Sequence, residues 1–313
     1  AIEMAVMLAK RHCQAWKTVS FEGTFHGSGF QAISIGADPH FNEGLGPLIP
    51  GAMHIEMPDF YRNPWGYQDE ERVFDHYFAE LRDIIEKGSN IAAFISEPIF
   101  YNSTVPTQSY WQQVKELCQR KGILLIFDEI YTAFGRTGKM FACEHFVTPD
   151  LLVFGKGFGG GVVPYAGIIG SDKLNTMPDR SIGHYTHEKS PFCAAVANAV
   201  IDCVVGQKLA NRAEELGAYF KGGLEELKHE FQIVGLIQGL GLNLAVDLVE
   251  DRKTKERAFN KAHSLVSYLF ERGVSLKLIQ GNILNIKPAL IIEKSEIDYV
   301  LECMRDGLEL VSK

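Results

Sequence analysis

Residues 122–129, GILLIFDE, constrain the fold of this chain more than any other stretch. Residues 123–127 are all apolar, so a strand here would be apolar on both faces, which is typical of a central strand in a parallel sheet. Similar short apolar runs at 91–95 and 151–154 alternate with amphipathic stretches that predict helices over residues 74–86 and 111–121. This alternation predicts an α/β fold with a mostly parallel sheet flanked by helices.

The pattern changes after about residue 206, where a smaller α+β unit is predicted. It predicts a helix over residues 209–231, two strands within 233–249, a helix over 253–272, strands at 274–279 and 283–292, and a last helix capped by Ser295. Residues 21–36 and 38–70 are rich in glycine, proline or asparagine and are predicted as loops. We therefore predict a large domain over residues 1–205 and a small C-terminal domain over residues 206–313.

The charge and cysteine patterns exclude several classes of protein. The formal net charge is −8 and no run of lysine and arginine is present, which argues against nucleic acid or an anionic membrane as a partner. Six cysteines are scattered without a C-x-x-C pair, as expected for reduced thiols in the cytoplasm. The segment HEKSP lacks the second histidine of a zinc motif, so no metal site is predicted.

The segment GKGFGG, residues 155–160, matches the G-x-G-x-x-G pattern of dinucleotide-binding turns. That pattern requires a helix after the glycines, whereas GVVPYAGIIG is β-branched and predicts a strand. Lys156 then needs another explanation. An amine that is partly desolvated at a strand end can form a Schiff base with a carbonyl. Asp128, 28 residues earlier, ends another strand, and this pair of an acid and an amine suits pyridoxal 5′-phosphate.

The order of motifs resembles the class III aminotransferases, the ornithine and 4-aminobutyrate type of fold-type I pyridoxal-phosphate enzymes. The matching segments run through the whole chain: AIEMAVMLAK at the start, FHG at 25–27, SEP at 96–98, FDEIYTAFGRTGKMFACEHFVTPDLL, the Lys156 segment, HYTHEKSP at 184–191, QGLGLNLAVDL at 238–248 and NIKPALII at 285–292. The resemblance implies that residues 1–205 form the large cofactor-binding domain of this fold.

The resemblance also implies a role for individual residues. Lys156 would form the Schiff base and Asp128 would pair with the pyridine nitrogen, which makes these two catalytic. The residues implied to bind the cofactor are Phe25, His26, Glu97, Asp128, Ile130, Tyr131, Lys156 and Thr186. Among them, Phe25 and Ile130 would cover the two faces of the ring, and Thr186 would reach the phosphate of the neighbouring subunit of a homodimer with shared active sites.

The family implies an enzyme that moves an amino group between an amine or amino acid and a 2-oxo acid. An alternative on the same scaffold is a racemase, an epimerase, or an amino phospho- or ammonia-lyase. Three departures favour that alternative: Tyr131 replaces the usual glutamine, His187 and Glu188 replace smaller residues near Thr186, and Asn285 replaces the arginine that clamps a substrate carboxylate in many members. The sequence does not place the nearby Arg136 and Lys287 in the pocket.

The start of the chain differs from the family pattern. Residue 1 is not Met, and the sequence opens inside a predicted helix that in the family follows a Gly-Ser phosphate loop. We therefore expect an N-terminal part of the large domain to be missing from this chain.

Overall fold

The structure is a computed structural model that describes residues 1–176, 179 and 181–313. It divides into two compact units, neither of which is one continuous stretch of sequence. The first unit contains Ala1–Tyr101, Pro106–Ala133 and Ala142–Asp202. The second unit contains Asn102–Val105, Phe134–Phe141 and Cys203–Lys313.

The described part of the first unit is built on one six-stranded sheet. Its strands are β1 (Lys17–Phe21), β2 (Ala52–Ile55), β3 (Ile91–Ser96), β4 (Leu124–Asp128), β5 (Leu151–Phe154) and β6 (Gly167–Gly170). They lie in the order β2-β1-β3-β4-β5-β6, and every neighbouring pair is parallel except β5 and β6. The mostly parallel sheet predicted from the alternating pattern is confirmed.

Helices cover both faces of this sheet: α1 (Ile2–Cys13) and α2 (Phe30–Ile35) pack on one face, and α4 (Glu70–Lys87) and α5 (Gln108–Lys121) pack on the other. The short helix α3 (Pro39–Asn42) follows α2, and α6 (Pro191–Gly206) leads from the first unit into the second. Successive residues of β4 face opposite sides: Leu124 and Ile126 pack in a cluster with α1, whereas Leu125 and Phe127 pack in a cluster with α4 and α5. This two-sided burial explains why the β4 sequence is apolar without alternation.

The second unit, whose residues are all described, is a smaller α+β structure. Its elements are α7 (Leu209–Glu230), β7 (Val234–Leu240), β8 (Asn243–Asp251), β9 (Glu256–Arg257), α8 (Phe259–Phe270), β10 (Lys277–Ile279), β11 (Ile283–Ile286) and α9 (Lys294–Val311). The sheet order is β10-β11-β8-β7, with β9 paired to β8, and all pairs are antiparallel. Helices α7, α8 and α9 bury their apolar side chains in one core with this sheet.

Two short segments from earlier in the chain belong to the second unit because they are hydrogen-bonded to it. The Gln238 side chain donates from Nε2 to the Asn102 carbonyl at 2.8 Å. The Arg136 guanidinium donates to the carbonyls of Leu242, at 3.2 Å, and Pro288. Burial lowers the pKa of Arg136 to about 10. Its guanidinium therefore stabilises backbone carbonyls within the second unit.

Several local predictions about helices are wrong. Helix α2 lies in a segment predicted as a loop, because Glu3 accepts the amide hydrogens of Gln31 and Ala32 from 28 and 29 residues away. The helix predicted from residue 253 begins only at Phe259, since Asp251 accepts two amide hydrogens and closes a turn first. The cap of α9 is Glu293 in a reciprocal capping box with Glu296, so Ser295 lies inside the first turn.

A strand also lies in a predicted loop: β2 falls within residues 38–70 and pairs with β1. Within the described residues, no single helix is long and apolar enough to cross a membrane. Helices α6 and α7 reach the length and apolar composition of a membrane span only when they are taken together, and they are bent by 58° at the break between them.

Candidate active site

The candidate site lies at the carboxyl edge of the parallel strands in the first unit. Ser96 at the end of β3 pairs with Phe127, and Asp128 at the end of β4 pairs with Val153 of β5. Glu97, Asp128 and Lys156 therefore follow three adjacent strands at the same edge. This is the edge at which open α/β sheets bind their ligands.

Asp128 is held in place by two hydrogen bonds. It is 4% exposed, and its Oδ2 lies 2.8 Å from Nδ1 of His26, which is 2% exposed. Its Oδ1 accepts the amide hydrogen of Ile130 at 3.1 Å. A carboxylate can only accept, so an ionised Asp128 takes this hydrogen bond from a protonated Nδ1 of His26. The other ring nitrogen of His26 is buried and has no hydrogen-bond partner among the described residues.

Lys156 begins a short 3-10 turn directly after β5 and Gly155. Its φ of 44° lies in the left-handed region, which is uncommon for a residue other than glycine. The expected partial burial of Lys156 is not observed: the residue is exposed, because the strand ends at Phe154 and the chain turns beyond the buried part of the sheet. The Lys156 Nζ lies 4.0 Å from the centroid of the Tyr131 ring.

Tyr131 and Ile130 lie beside the start of the lysine turn. A methyl group added at Gly155 would lie 3.8 Å from Cγ1 of Ile130. Burial raises the pKa of the Tyr131 phenol above its ordinary value, and the charges of Glu97 and Asp128 raise it further. The phenol of Tyr131 is therefore protonated at neutral pH, and its ring carries no charge.

Glu129 is a buried acid that the sequence did not single out. Its carboxylate accepts the amide hydrogens of Ala142, at 2.6 Å, and Cys143, at 2.8 Å, and the Thr132 hydroxyl at 3.1 Å. Burial raises the pKa of Glu129 in spite of these three hydrogen bonds. The signal was present in the sequence, because a second acid directly follows Asp128 at the end of an apolar strand. The hydrogen bonds to Glu129 therefore stabilise the turn that contains Ile130 and Tyr131.

Two predicted site residues lie in exposed positions of the first unit. Phe25 is exposed and packs against Phe41, with ring centroids 4.2 Å apart and ring planes tilted by 36°. Thr186 lies in an exposed turn in which the amide of Glu188 donates to the carbonyl of Tyr185. The contact of Thr186 with a neighbouring phosphate stays a prediction, as do the cofactor contacts of the other site residues.

Asn285 stands where many family members have an arginine. Asn285 lies on β11 in the second unit, and its Oδ1 is buried without a hydrogen-bond partner among the described residues.

The described residues contain no group of three or more His, Cys, Asp and Glu side chains able to hold a metal ion.

The donors at the sheet edge fit the chemistry of pyridoxal 5′-phosphate. A buried carboxylate that is fixed by a histidine suits a protonated pyridine nitrogen, and an exposed lysine amine at the next strand end suits an aldehyde. Ile130 and the exposed ring of Phe25 offer apolar surfaces for an aromatic ring. Asp128, Lys156, Ile130 and Phe25 are therefore the residues that would hold the ring.

Comparison with known proteins supports the same conclusion. A family model for class-III aminotransferases matches residues 1–308. An (R)-1-hydroxy-2-aminoethylphosphonate ammonia-lyase of Vibrio splendidus is 36% identical, over 100% of this chain and 68% of its own length. A leucine/methionine racemase of Thermococcus litoralis is 35% identical, over 95% of this chain and 68% of its own length. A probable 4-aminobutyrate aminotransferase of Bacillus subtilis is 31% identical, over 98% and 72% respectively.

A solved structure has the same fold. An amine transaminase from an uncultivated Pseudomonas species, in its PLP-bound form, superposes with a TM-score of 0.90 at 28% identity, covering 100% of this chain and 74% of that one. The fold-type I architecture and the cofactor implied by the motifs are thereby confirmed. The chain belongs to the class-III aminotransferase family, whose cofactor is pyridoxal 5′-phosphate.

Proposed function

We propose that this chain is an aminotransferase that moves an amino group between an amine or amino acid and a 2-oxo acid. The observation that carries the proposal is the pairing of two strand ends: Asp128, held by His26 at 2.8 Å, follows β4, and Lys156 follows the neighbouring strand β5. When bound there, the cofactor supplies an electron-accepting ring.

The residues of the chain have distinct roles in this proposal. Asp128 keeps a proton on the ring nitrogen by its negative charge, and His26 keeps Asp128 in position. The amine of Lys156 holds the cofactor and then takes a proton from the carbon that carries the substrate amino group. Phe25 and Ile130 orient the ring from its two faces, and Glu97 lies at its outer edge.

We also propose a homodimer in which Thr186 reaches the phosphate bound by the partner subunit. The resemblance of residues 184–191 to the family segment that reaches the neighbouring subunit supports this proposal. Sedimentation of the purified protein tests it, and an active monomer at micromolar concentration would overturn it.

The second candidate is a lyase or racemase that uses the same residues. Asn285 favours it, because an amide at this position cannot supply the positive charge that clamps the carboxylate of a 2-oxo acid. The similarity to an ammonia-lyase at 36% and to a racemase at 35% identity also supports it. Such an enzyme needs no second substrate that accepts the amino group.

One experiment distinguishes the two candidates. The purified protein, loaded with pyridoxal 5′-phosphate, is mixed with a panel of amino donors without a 2-oxo acid. An aminotransferase converts the bound cofactor from its aldehyde to its amine form, one equivalent per site, and then stops. A lyase releases ammonia over many turnovers, and a racemase forms the other enantiomer of the donor. Turnover without a 2-oxo acid would overturn the aminotransferase proposal.

A second experiment tests Lys156 itself. Sodium borohydride makes the link between a lysine and the cofactor permanent, so the peptide that contains Lys156 should gain the cofactor mass. Lys156→Ala should remove this mass, whereas Lys173→Ala, which changes an exposed lysine in a 3-10 turn of the same unit, should keep it. Cofactor mass on another peptide of the unaltered protein would refute the assignment.

A further inference from the structure

The ring of Tyr131 lies directly against the end of the Lys156 side chain. The Nζ atom is 4.0 Å from the ring centroid, well inside the range of about 6 Å over which an aromatic face attracts a cation. Tyr131 is 40% exposed, so this face lies at the edge of the site and is accessible to the amine. The amine and the ring are therefore in contact before any ligand is considered.

Backbone geometry positions the ring. The amide of Ile130 donates to Asp128, and the amides of Thr132 and Ala133 donate to the carbonyl of Glu129 at 3.2 and 3.0 Å. These bonds hold residues 130 and 131 in a tight turn after β4. Tyr131 therefore projects from a fixed point next to the end of β5.

Backbone geometry also positions the amine. Lys156 has a left-handed φ of 44°, and the 3-10 turn that follows is closed by the amide of Gly160, which donates to the carbonyl of Gly157 at 3.0 Å. Both partners of the contact thus leave the backbone from constrained turns. The contact is a property of the fold around the two strand ends.

The chemistry of the ring suits a cation. Burial, together with the charges of Glu97 and Asp128, raises the pKa of the Tyr131 phenol, so the phenol is neutral, and the attraction comes from the ring face and would persist without the hydroxyl. A glutamine at position 131, the usual residue in the family by resemblance, has no such face. A phenylalanine has the face without the hydroxyl.

We propose that Tyr131 is a positioning residue whose ring face holds the ammonium form of Lys156 whenever this amine is not bonded to the cofactor. The proposal rests on the proposed function, in which Lys156 is the lysine that carries the cofactor. The ring would hold the ammonium, with its proton, at the strand end where the cofactor would bind. This would favour the return of the proton to the substrate over its loss to water.

The test measures the reactivity of the lysine rather than turnover. The full chain is loaded with pyridoxamine 5′-phosphate, which leaves the Lys156 amine unbonded, and is labelled with a limiting amount of formaldehyde and cyanoborohydride at one pH. Peptide mass spectrometry gives the labelling rates of Lys156 and of Lys173, which serves as the internal control. The parent is compared with Tyr131→Phe, Tyr131→Leu and Tyr131→Gln.

The proposal predicts a specific order of rates. Tyr131→Leu and Tyr131→Gln remove the ring and should label Lys156 about two- to fivefold faster, since an exposed cation–ring contact is of that strength. Tyr131→Phe should match the parent, and the rate at Lys173 should not change in any variant. Parent-like rates in the Leu and Gln variants would overturn the proposal. A Phe variant as fast as the Leu variant would also overturn it, because the hydroxyl would then be responsible.

Failure of the proposed function would look different. Borohydride trapping in the parent reports whether Lys156 carries the cofactor, independently of residue 131. Trapping at Lys156 with unchanged labelling in the variants refutes only the role of Tyr131. Absence of cofactor mass at Lys156 in the parent refutes the proposed function instead.

Discussion

Replacing Glu129 by alanine should open the turn that follows β4. The carboxylate of Glu129 is buried and accepts the amide hydrogens of Ala142 and Cys143, and the alanine variant leaves both amides without an acceptor. Each unsatisfied buried donor costs about 1–3 kcal/mol, so the two together cost roughly 2–6 kcal/mol. At about 1.4 kcal/mol per factor of ten, amide protection at residues 142 and 143 should fall by roughly 30-fold to 20,000-fold.

Glu129→Gln is the matched variant. An amide oxygen in place of Oε2 keeps the bonds from Ala142 and Thr132, but the amide nitrogen cannot accept from Cys143. One lost acceptor predicts a fall in protection of roughly 5- to 150-fold, smaller than that of the alanine variant. Hydrogen exchange followed by mass spectrometry measures both, with the amides of β5 as the control. Unchanged protection at residues 142 and 143 in the alanine variant would refute the reasoning.

The pH dependence of this turn provides an independent check. Burial raises the pKa of Glu129 above its ordinary value of 4.5. A raised pKa in the folded state means that the folded chain binds the proton more tightly, so the contribution to stability is complete below 4.5 and is lost as the pH rises through the folded-state pKa. After correction for intrinsic exchange, protection at residues 142 and 143 should decline over that window in the parent. Glu129→Gln should remove this decline.

Three other substitutions test the packing and the local geometry. Asn282→Ala should lower the free energy of unfolding by roughly 2–4 kcal/mol, measured from the urea midpoint, since buried Asn282 donates to Asp247 and to a backbone carbonyl, both at 2.7 Å. Gly160→Ala should lower the free energy of unfolding by about 1–2 kcal/mol because alanine is strained at a φ of 61°, and by more because its methyl group would lie 2.7 Å from Val200. Adding Val200→Ala should recover only the part that comes from this close contact. Glu3→Ala should lower the free energy of unfolding by about 1 kcal/mol and speed hydrogen exchange at the start of α2. An exchange rate there equal to that of the parent would rule out Glu3 as the cap of α2.

The elements predicted best from the sequence are those defined by their own residues. Strand β4 was recognisable because five consecutive apolar residues are needed to face helices on both sides of the sheet. The end of α5 was equally local, since Gly122 takes the left-handed conformation that closes a helix. Asp128 and Lys156 were predicted as partners at one sheet edge, and the register of β4 and β5 brings these strand ends side by side.

The features that the sequence could not predict depend on distant residues. Helix α2 depends on Glu3, and the bond between His26 and Asp128 joins residues 102 positions apart. The acid Glu129 acts on amides 13 and 14 positions later, across a turn whose closure no local pattern indicates. The exposure of Lys156 likewise follows from where β5 ends rather than from the glycines around it.

The discontinuous second unit imposes a waiting time during protein synthesis. The carbonyl of Asn102 is bonded by Gln238, which is translated 136 residues later, and Ser103 is bonded to Asn243 across 140 residues. At roughly 5–20 residues per second, a ribosome needs about 7 to 27 seconds to make that partner for Asn102. The first unit can begin to form around this unpaired segment, whereas the second unit cannot close until β7 and β8 have left the exit tunnel. Codon choices that slow translation between these points should therefore reduce the yield of folded protein more than equal delays near the C-terminus.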